Sequence, residues 1–73
     1  MERTIFTFDT THHALWAEEI AREHRIAHEI VPAPSESNAR CDIAIETFAD
    51  DRATLSTALE EAGVRFGVYI AMA

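Results

Sequence analysis

The sequence predicts an α+β fold, a two-layer sandwich of helices on an antiparallel sheet. Segments rich in β-branched and aromatic residues occur four times, and two stretches with helical periodicity lie between them. Turn-forming residues separate these segments. With 73 residues, 48% of them apolar, the chain has the size and composition of one small folded domain over residues 1–73.

The first predicted strand covers residues 4–8, where Phe6 and Phe8 share one face. Competent N-caps for a helix that reaches about residue 24 then follow at Asp9, Thr10 and Thr11. The expected buried stripe of this helix is Ala14, Ala17, Ile20, Ala21 and His24, with Trp16 at its border and Leu15 outside it.

The second predicted strand covers residues 26–31 and has the mixed pattern of an edge strand. His28 and Glu29 interrupt its apolar residues, which an edge position tolerates. Pro32 and Pro34 follow, and proline cannot donate to a ladder of strand hydrogen bonds. We therefore expect the strand to end here and a turn-rich loop to follow.

The second half repeats the order of strand, helix and strand, but not the sequence of the first half. Residues 41–48 form the third predicted strand, and Asp50 or Asp51 caps the second helix. The two faces of this strand are Cys41, Ile43, Ile45 and Thr47 on one side, and Asp42, Ala44, Glu46 and Phe48 on the other. The buried stripe of the helix is Leu55, Ala58, Leu59 and Ala62. Gly63 suits a left-handed C-cap, and residues 64–71 form the last strand.

The order β-α-β-β-α-β predicts the ferredoxin-like arrangement of two split βαβ units with right-handed crossovers. In that arrangement the loop before Cys41 lies at the same end of the domain as the start of the first helix. Cys41 should then lie near Thr10, Thr11 and His13, where the helix N-terminus favours a thiolate or a bound anion. Arg40 adds positive charge if its side chain points the same way.

The charge pattern excludes some partners. The net charge is −7, lysine is absent, and the six arginines are scattered. Nucleic acid and anionic membranes are therefore not expected partners. No apolar run approaches the roughly 20 residues that span a bilayer, and no apolar stretch of a signal peptide follows Met1. Together with an unpaired cysteine, this predicts a cytoplasmic, reducing location.

The single cysteine, Cys41, is the strongest candidate for chemistry, because a thiolate is the best nucleophile and soft-metal ligand among these side chains. The alternative is a small buried residue, since free cysteine is among the most buried types. A metal site with His12 and His13 has too few ligands, so we expect no metal and no cofactor. No phosphate loop, Ser/His/Asp arrangement or paired carboxylates occur, which favours a carrier or binding domain over an enzyme.

Several motifs resemble the small selenium/sulfur carrier-like family over nearly the whole chain. The matching residues are Thr10-Thr11, Ala14-Leu15, Glu18, Pro32-Ala33-Pro34 and Cys41. The chain departs from the family pattern at two positions. Ser35 stands where the family usually has arginine, and Asp42 stands where it usually has glycine after the cysteine. A carboxylate beside the sulfur opposes thiolate formation, and Arg40 partly compensates for it.

The resemblance implies a carrier that accepts sulfur or selenium on Cys41 as a persulfide or its selenium analogue. A single thiol cannot resolve itself, so donor and acceptor would be other proteins or small molecules. The alternative function is a binding module of the same fold, which dimerises through its sheet or edge strands or docks onto an enzyme. The exposed candidates for such contacts are Leu15, Trp16, Tyr69 and Ile70.

Overall fold

The computed structural model describes residues 2–72 and confirms the predicted element order. The strands and helices are β1 (Glu2–Thr7), α1 (Thr11–Glu23), β2 (His28–Pro32), β3 (Ile43–Thr47), α2 (Arg52–Ala62) and β4 (Gly67–Met72), with short 3₁₀ turns at Ser35–Ser37 and Ala49–Asp51. The sheet has the order β2-β3-β1-β4, and every neighbouring pair is antiparallel. Each helix therefore joins two strands that are separated by one other strand, as in the ferredoxin-like arrangement.

The core lies between the helices and one face of the sheet. Phe6 of β1 stands opposite Ile45 of β3 and Val68 of β4, which places these three apolar side chains side by side on the helix-covered face. They pack with the buried residues of both helices, which are Ala14, Ala17, Ile20, Ala21, Leu55, Ala58 and Leu59. The predicted stripe of α2 is confirmed for its first three residues, and Ala62 packs against the core while partly exposed.

The other face of the sheet is also partly apolar. Ile5 and Ala44 are fully buried on this face, since side chains alternate along a strand. Ile5 stands opposite Glu46 and Tyr69. Glu46 accepts two hydrogen bonds from the guanidinium of Arg3, at 2.7 and 3.1 Å, and this fork raises the pKa of Arg3 and lowers that of Glu46.

The prediction that His24 lies on the buried stripe of α1 is wrong, because the helix ends before it. Arg25 has a φ of 57°, in the left-handed region, and the chain reverses direction there. The N–H of Ile26 donates to the carbonyl of Ala21 at 2.9 Å, as in a Schellman C-cap. His24 is thereby turned to solvent, and Ile26 is buried just before β2 rather than within it.

Two further boundaries differ from prediction in the second half. Asp51 stands at the N-cap position of α2, but its side chain makes no cap hydrogen bond because the preceding 3₁₀ turn leads directly into the helix. Gly63 is confirmed as a left-handed C-cap with a φ of 83°. The N–H of Val64 then donates to the carbonyl of Leu59 at 3.0 Å, so Val64 closes the helix cap and β4 starts only at Gly67.

β1 begins two residues earlier than predicted and ends one residue earlier, whereas β3 is shorter than predicted at both ends. Phe8 follows β1 and stays buried, whereas Phe48 follows β3 and is exposed. Neither helix in residues 2–72 is long and apolar enough to cross a membrane.

Candidate functional site

Cys41 lies at the end of the β2–β3 loop, two residues before β3 begins. Its backbone N–H donates to the carbonyl of Phe8 at 3.2 Å, which ties the loop to the end of β1. The residue is only 5% exposed and belongs to the hydrophobic core cluster. The thiol is therefore held at the border between the core and the end of the domain where α1 begins.

Thr11 is the side chain that meets the thiol. Its Oγ1 lies 3.7 Å from Sγ of Cys41, within the range of a hydrogen bond to sulfur, and either atom can donate. Thr11 is also the first residue of α1, where the helix dipole is positive. The geometry thus brings together the cysteine and the helix start that the topology predicts to be neighbours.

Thr10 and His13 bond to each other at the start of α1 and not to the thiol. Thr10 is the N-cap of α1, and its Oγ1 accepts from the N–H of His13 at 3.1 Å. Its carbonyl accepts from the N–H of Ala14 at 3.1 Å. The ring of His13 lies 6.0 Å from that of Trp16, and within residues 2–72 its buried Nδ1 has no hydrogen-bond partner.

Arg40 and Asp42, on either side of the cysteine, are both exposed. Because Cys41 is buried and its two neighbours are not, the guanidinium and the carboxylate are solvated rather than directed at the sulfur. The backbone of Asp42 has a structural role, since its carbonyl accepts from the N–H of Ala33 at 2.8 Å and closes the loop. Of the four predicted partners of Cys41, Thr11 is the one in the described chain with a contact at hydrogen-bond distance.

The loop that leads to Cys41 is ordered by its own hydrogen bonds. Ser37 donates to the carbonyl of Pro34 through its N–H at 3.0 Å and its hydroxyl at 2.6 Å. The Ser37 hydroxyl also accepts from the N–H of Ala39 at 3.4 Å. Asn38 takes a left-handed conformation with a φ of 57°, which asparagine tolerates better than most residues. Ser35 and Glu36 bond to each other at the exposed side.

One partly apolar surface groove lies on α1, near its start. Leu15 and Trp16 are 53% and 37% exposed, and they line a shallow groove on α1 together with His12 and Glu19. Leu15 was predicted to lie outside the buried stripe, and the structure confirms this. Within residues 2–72, no group of three or more His, Cys, Asp or Glu side chains is arranged to hold a metal ion.

Sequence reasoning missed one polar cluster, formed by Glu18, Arg22 and His28. Glu18 accepts from Arg22 at 2.6 Å and pairs with Nε2 of His28 at 2.8 Å. The spacing of four residues between Glu18 and Arg22 was a usable signal for that ion pair. The contact of His28 with α1 had no such signal, because it depends on where β2 lies beneath the helix.

The fold and the site define a small α+β domain with one buried thiol at the start of a helix. The family model described as "Putative Se/S carrier protein-like" matches residues 3–69, so the chain belongs to that family. No curated protein and no solved structure matches the chain.

Proposed function

We propose that the protein carries sulfur or selenium on Cys41, in the reducing environment of the cytoplasm. Membership of the family supports a carrier role, and Cys41 is the only cysteine in the chain. The observation that carries the proposal is the 3.7 Å contact between Sγ of Cys41 and the hydroxyl of Thr11 at the start of α1. A hydroxyl donor and a helix N-terminus both stabilise negative charge on sulfur.

The proposed loading step is a thiol exchange in which atoms and electrons balance. The thiolate of Cys41 attacks the outer sulfur of a donor persulfide, R–S–SH. A new S–S bond forms at Cys41, the S–S bond of the donor breaks, and the donor leaves as the thiolate R–S⁻. The outer sulfur keeps its proton, and no net oxidation occurs. A selenium atom on the donor sulfur would transfer by the same displacement.

Delivery repeats this displacement in the opposite sense. A thiolate of the acceptor attacks the outer atom of the Cys41 adduct, and Cys41 leaves as a thiolate. The domain needs no second cysteine for either step, because donor and acceptor supply the other sulfur. The role of the protein is to hold the adduct and to present it, which agrees with a small carrier rather than an enzyme.

Because Cys41 is buried, the β2–β3 loop would also control access to the sulfur. With only 5% of the residue exposed, an adduct is shielded from reductants and oxidants in solution. The loop that ends at Cys41 is the part of the chain whose movement would expose the sulfur to a donor. We infer that opening of this loop, and not the exchange itself, limits loading by bulky donors.

Intact-mass spectrometry of the protein tests the proposal. Cells that express it are lysed in an alkylating reagent, which traps thiols and persulfides as distinct adducts. We expect a fraction of the protein to carry one additional sulfur or selenium atom that a reductant removes, and Cys41→Ser to carry none. If Cys41 is recovered only as an alkylated thiol, while persulfides on other proteins are trapped in the same lysate, the proposal is wrong.

The second candidate is a binding module in which Cys41 only fills the core. The exposed pair Leu15 and Trp16 favours it, because these side chains offer an apolar contact on α1. In that case Cys41→Ala would keep partner binding, and Leu15→Ala would lose it.

A further inference from the structure

The groove on α1 lies one helical turn from the residue that contacts the thiol. Its lining residues are His12, Leu15, Trp16 and Glu19. Leu15 follows Thr11 by four residues, which places the two side chains one turn apart on the same side of the helix. Thr11 in turn contacts Sγ of Cys41 at 3.7 Å. A protein seated in the groove would therefore lie next to the loop that ends at the sulfur.

Trp16 gives the groove an ordered apolar surface. Its ring lies 6.3 Å from the ring of His12 and 6.0 Å from the ring of His13. Because two neighbouring rings restrict its movement, little side-chain entropy is lost when another molecule covers it. Leu15, 53% exposed, adds an aliphatic side chain to the same groove. Tryptophan is among the residues that contribute most to binding at protein interfaces.

The charge along α1 is negative. Its one arginine, Arg22, pairs with Glu18 at 2.6 Å. Glu19 and Glu23 are exposed and form no ion pair within residues 2–72. The net charge of −7, with no lysine in the chain, adds to this field. The surface around the groove therefore repels a second copy of this chain and attracts a basic protein.

Negative charge also lies beside the thiol. Asp42 follows Cys41 directly and is exposed. Asp9 is exposed too, and it follows Phe8, whose carbonyl accepts from the N–H of Cys41. The exposed cation next to Cys41 in sequence is Arg40, so two carboxylates face one guanidinium at this end. Basic residues around a donor sulfur would complement this surface.

We propose that the groove docks a protein that donates sulfur to Cys41, and that this donor presents an apolar side chain surrounded by lysine or arginine. The inference rests on the carrier function proposed above, in which the donor leaves as R–S⁻. Cations beside the donor sulfur lower the pKa of its thiol, and a thiol of lower pKa leaves faster. The basic residues that match the acidic surface of the carrier thus also favour the transfer.

Fluorescence titration with two synthetic peptides tests the chemistry of the partner. Trp16 is the only tryptophan in the chain, so its emission reports on the groove. Both peptides contain leucine, with serine in place of the donor cysteine, and they carry either arginine or glutamate at the flanking positions. We expect the arginine peptide to bind at least about tenfold more tightly, and this difference to shrink at high salt. Equal binding of the two peptides, or no binding of the arginine peptide, would overturn the proposal.

Two variants locate the charge that the peptide meets. Glu19→Gln should weaken binding of the arginine peptide several-fold, because it removes a carboxylate from the groove. Glu60→Gln removes the same charge from an exposed position of α2 and should bind like the wild type. If both variants bind the peptide equally, the attraction comes from the net charge and the groove is not the docking surface.

Loading rates separate the groove from the carrier function. The donors are the arginine peptide with its cysteine restored as a persulfide, and cysteine persulfide, which is too small to fill the groove. We expect Leu15→Ala to slow loading of Cys41 from the peptide by about fivefold and to leave loading from cysteine persulfide unchanged. Phe48→Ala is the matched control, because Phe48 is exposed at the opposite end of β3 from Cys41.

The two failures give different results. If cysteine persulfide does not load Cys41, the carrier function is wrong and the donor falls with it. If cysteine persulfide loads Cys41 normally, but Leu15→Ala and Phe48→Ala load equally fast from the peptide, the groove alone is wrong.

Discussion

Both ring nitrogens of His28 lie against hydrogen-bond acceptors, with Nε2 2.8 Å from a carboxylate oxygen of Glu18 and Nδ1 2.8 Å from the carbonyl of Ile26. A neutral imidazole has one N–H and could satisfy only one of them. The arrangement therefore favours the imidazolium form of His28. Partial burial by itself lowers the pKa of His28, but the bonds to Ile26 and Glu18 outweigh it and raise the pKa.

This pair makes stability depend on pH. Because the folded pKa of His28 is raised, its contribution is complete below the ordinary histidine value and is lost as the pH rises through the folded pKa. The pKa of Glu18 is lowered, first by His28 and then by Arg22, so its contribution is lost when the pH falls through the folded pKa of Glu18. The cluster is thus most stabilising between the ordinary pKa values of glutamate, 4.5, and histidine, 6.5.

Urea unfolding of His28→Gln at a series of pH values tests this. We expect His28→Gln to lower the free energy of unfolding by about 1 kcal/mol at pH 6 and by less at pH 9. The difference becomes smaller because His28 of the wild type deprotonates as the pH rises and no longer forms a charged pair with Glu18. His24→Gln, at an exposed histidine, is the control and should follow the wild type. A constant difference between His28→Gln and the wild type across this range would contradict the assignment.

The hydroxyl of Thr11 should set the reactivity of Cys41. Thr11→Val keeps the shape of the side chain and removes the contact at 3.7 Å, whereas Thr11→Ser keeps the hydroxyl. We expect Thr11→Val to slow loading of Cys41 from a small persulfide donor by about tenfold, since a lost hydrogen bond to a charged group costs about 1.5 kcal/mol or more. Thr11→Ser should load at close to the wild-type rate. Equal rates for Thr11→Val and Thr11→Ser would show that the hydroxyl has no part in the chemistry.

Ser37 should control access to the thiol. Its hydroxyl donates to Pro34 and accepts from Ala39, so Ser37→Ala removes two bonds that order the loop. We expect alkylation of Cys41 in the folded protein to become several-fold faster. Ser35→Ala is a matched control, because the Ser35 hydroxyl bonds only to the exposed Glu36 among the described residues. If both variants react at the wild-type rate, opening of this loop does not limit access.

Gly63 should be intolerant of a side chain for reasons of backbone conformation alone. Its φ of 83° lies in the left-handed region, and a Cβ added there would meet no atom within 4 Å. Gly63→Ala should therefore destabilise the protein by about 1 kcal/mol in thermal unfolding, from backbone strain rather than from a clash. Gly63→Asn should lose less, because asparagine visits this region more readily. A larger loss for asparagine than for alanine would contradict this explanation.

The sequence was sufficient for the order of elements, the C-cap at Gly63 and the neighbourhood of Cys41 and α1. These follow from local patterns and from the limited ways in which two split βαβ units can pack. The ends of elements were less predictable. His24 continues the helical pattern of α1 and Val64 continues the apolar pattern of β4, yet each lies where the chain reverses direction after a helix. The left-handed conformation of Arg25 could not be predicted from the residue type.

From the sequence, the residues near Cys41 could be placed at one end of the domain, but the side chain that contacts the sulfur could not be identified. Thr10 and Thr11 are equivalent in sequence, and only the start of the helix decides that Thr10 caps it and Thr11 faces the sulfur. Arg40 and Asp42 could not be placed because the strand begins later than predicted. The link from His28 to Glu18 depends on packing between β2 and α1, which no local pattern encodes.

The measurement that tests the central claim most directly compares the rate of persulfide transfer to Cys41 in the folded and the urea-unfolded protein, with a small persulfide donor at one pH. Intact-mass spectrometry follows the decline of the unmodified protein and the appearance of the species that is heavier by one sulfur atom. Cys41→Ser is the blank. A carrier site predicts that the folded protein loads measurably, although more slowly than the unfolded chain, because Cys41 is only 5% exposed and the loop has to move before a donor reaches it. No loading of the folded protein under conditions in which the unfolded chain loads would contradict the account and leave Cys41 as a core residue.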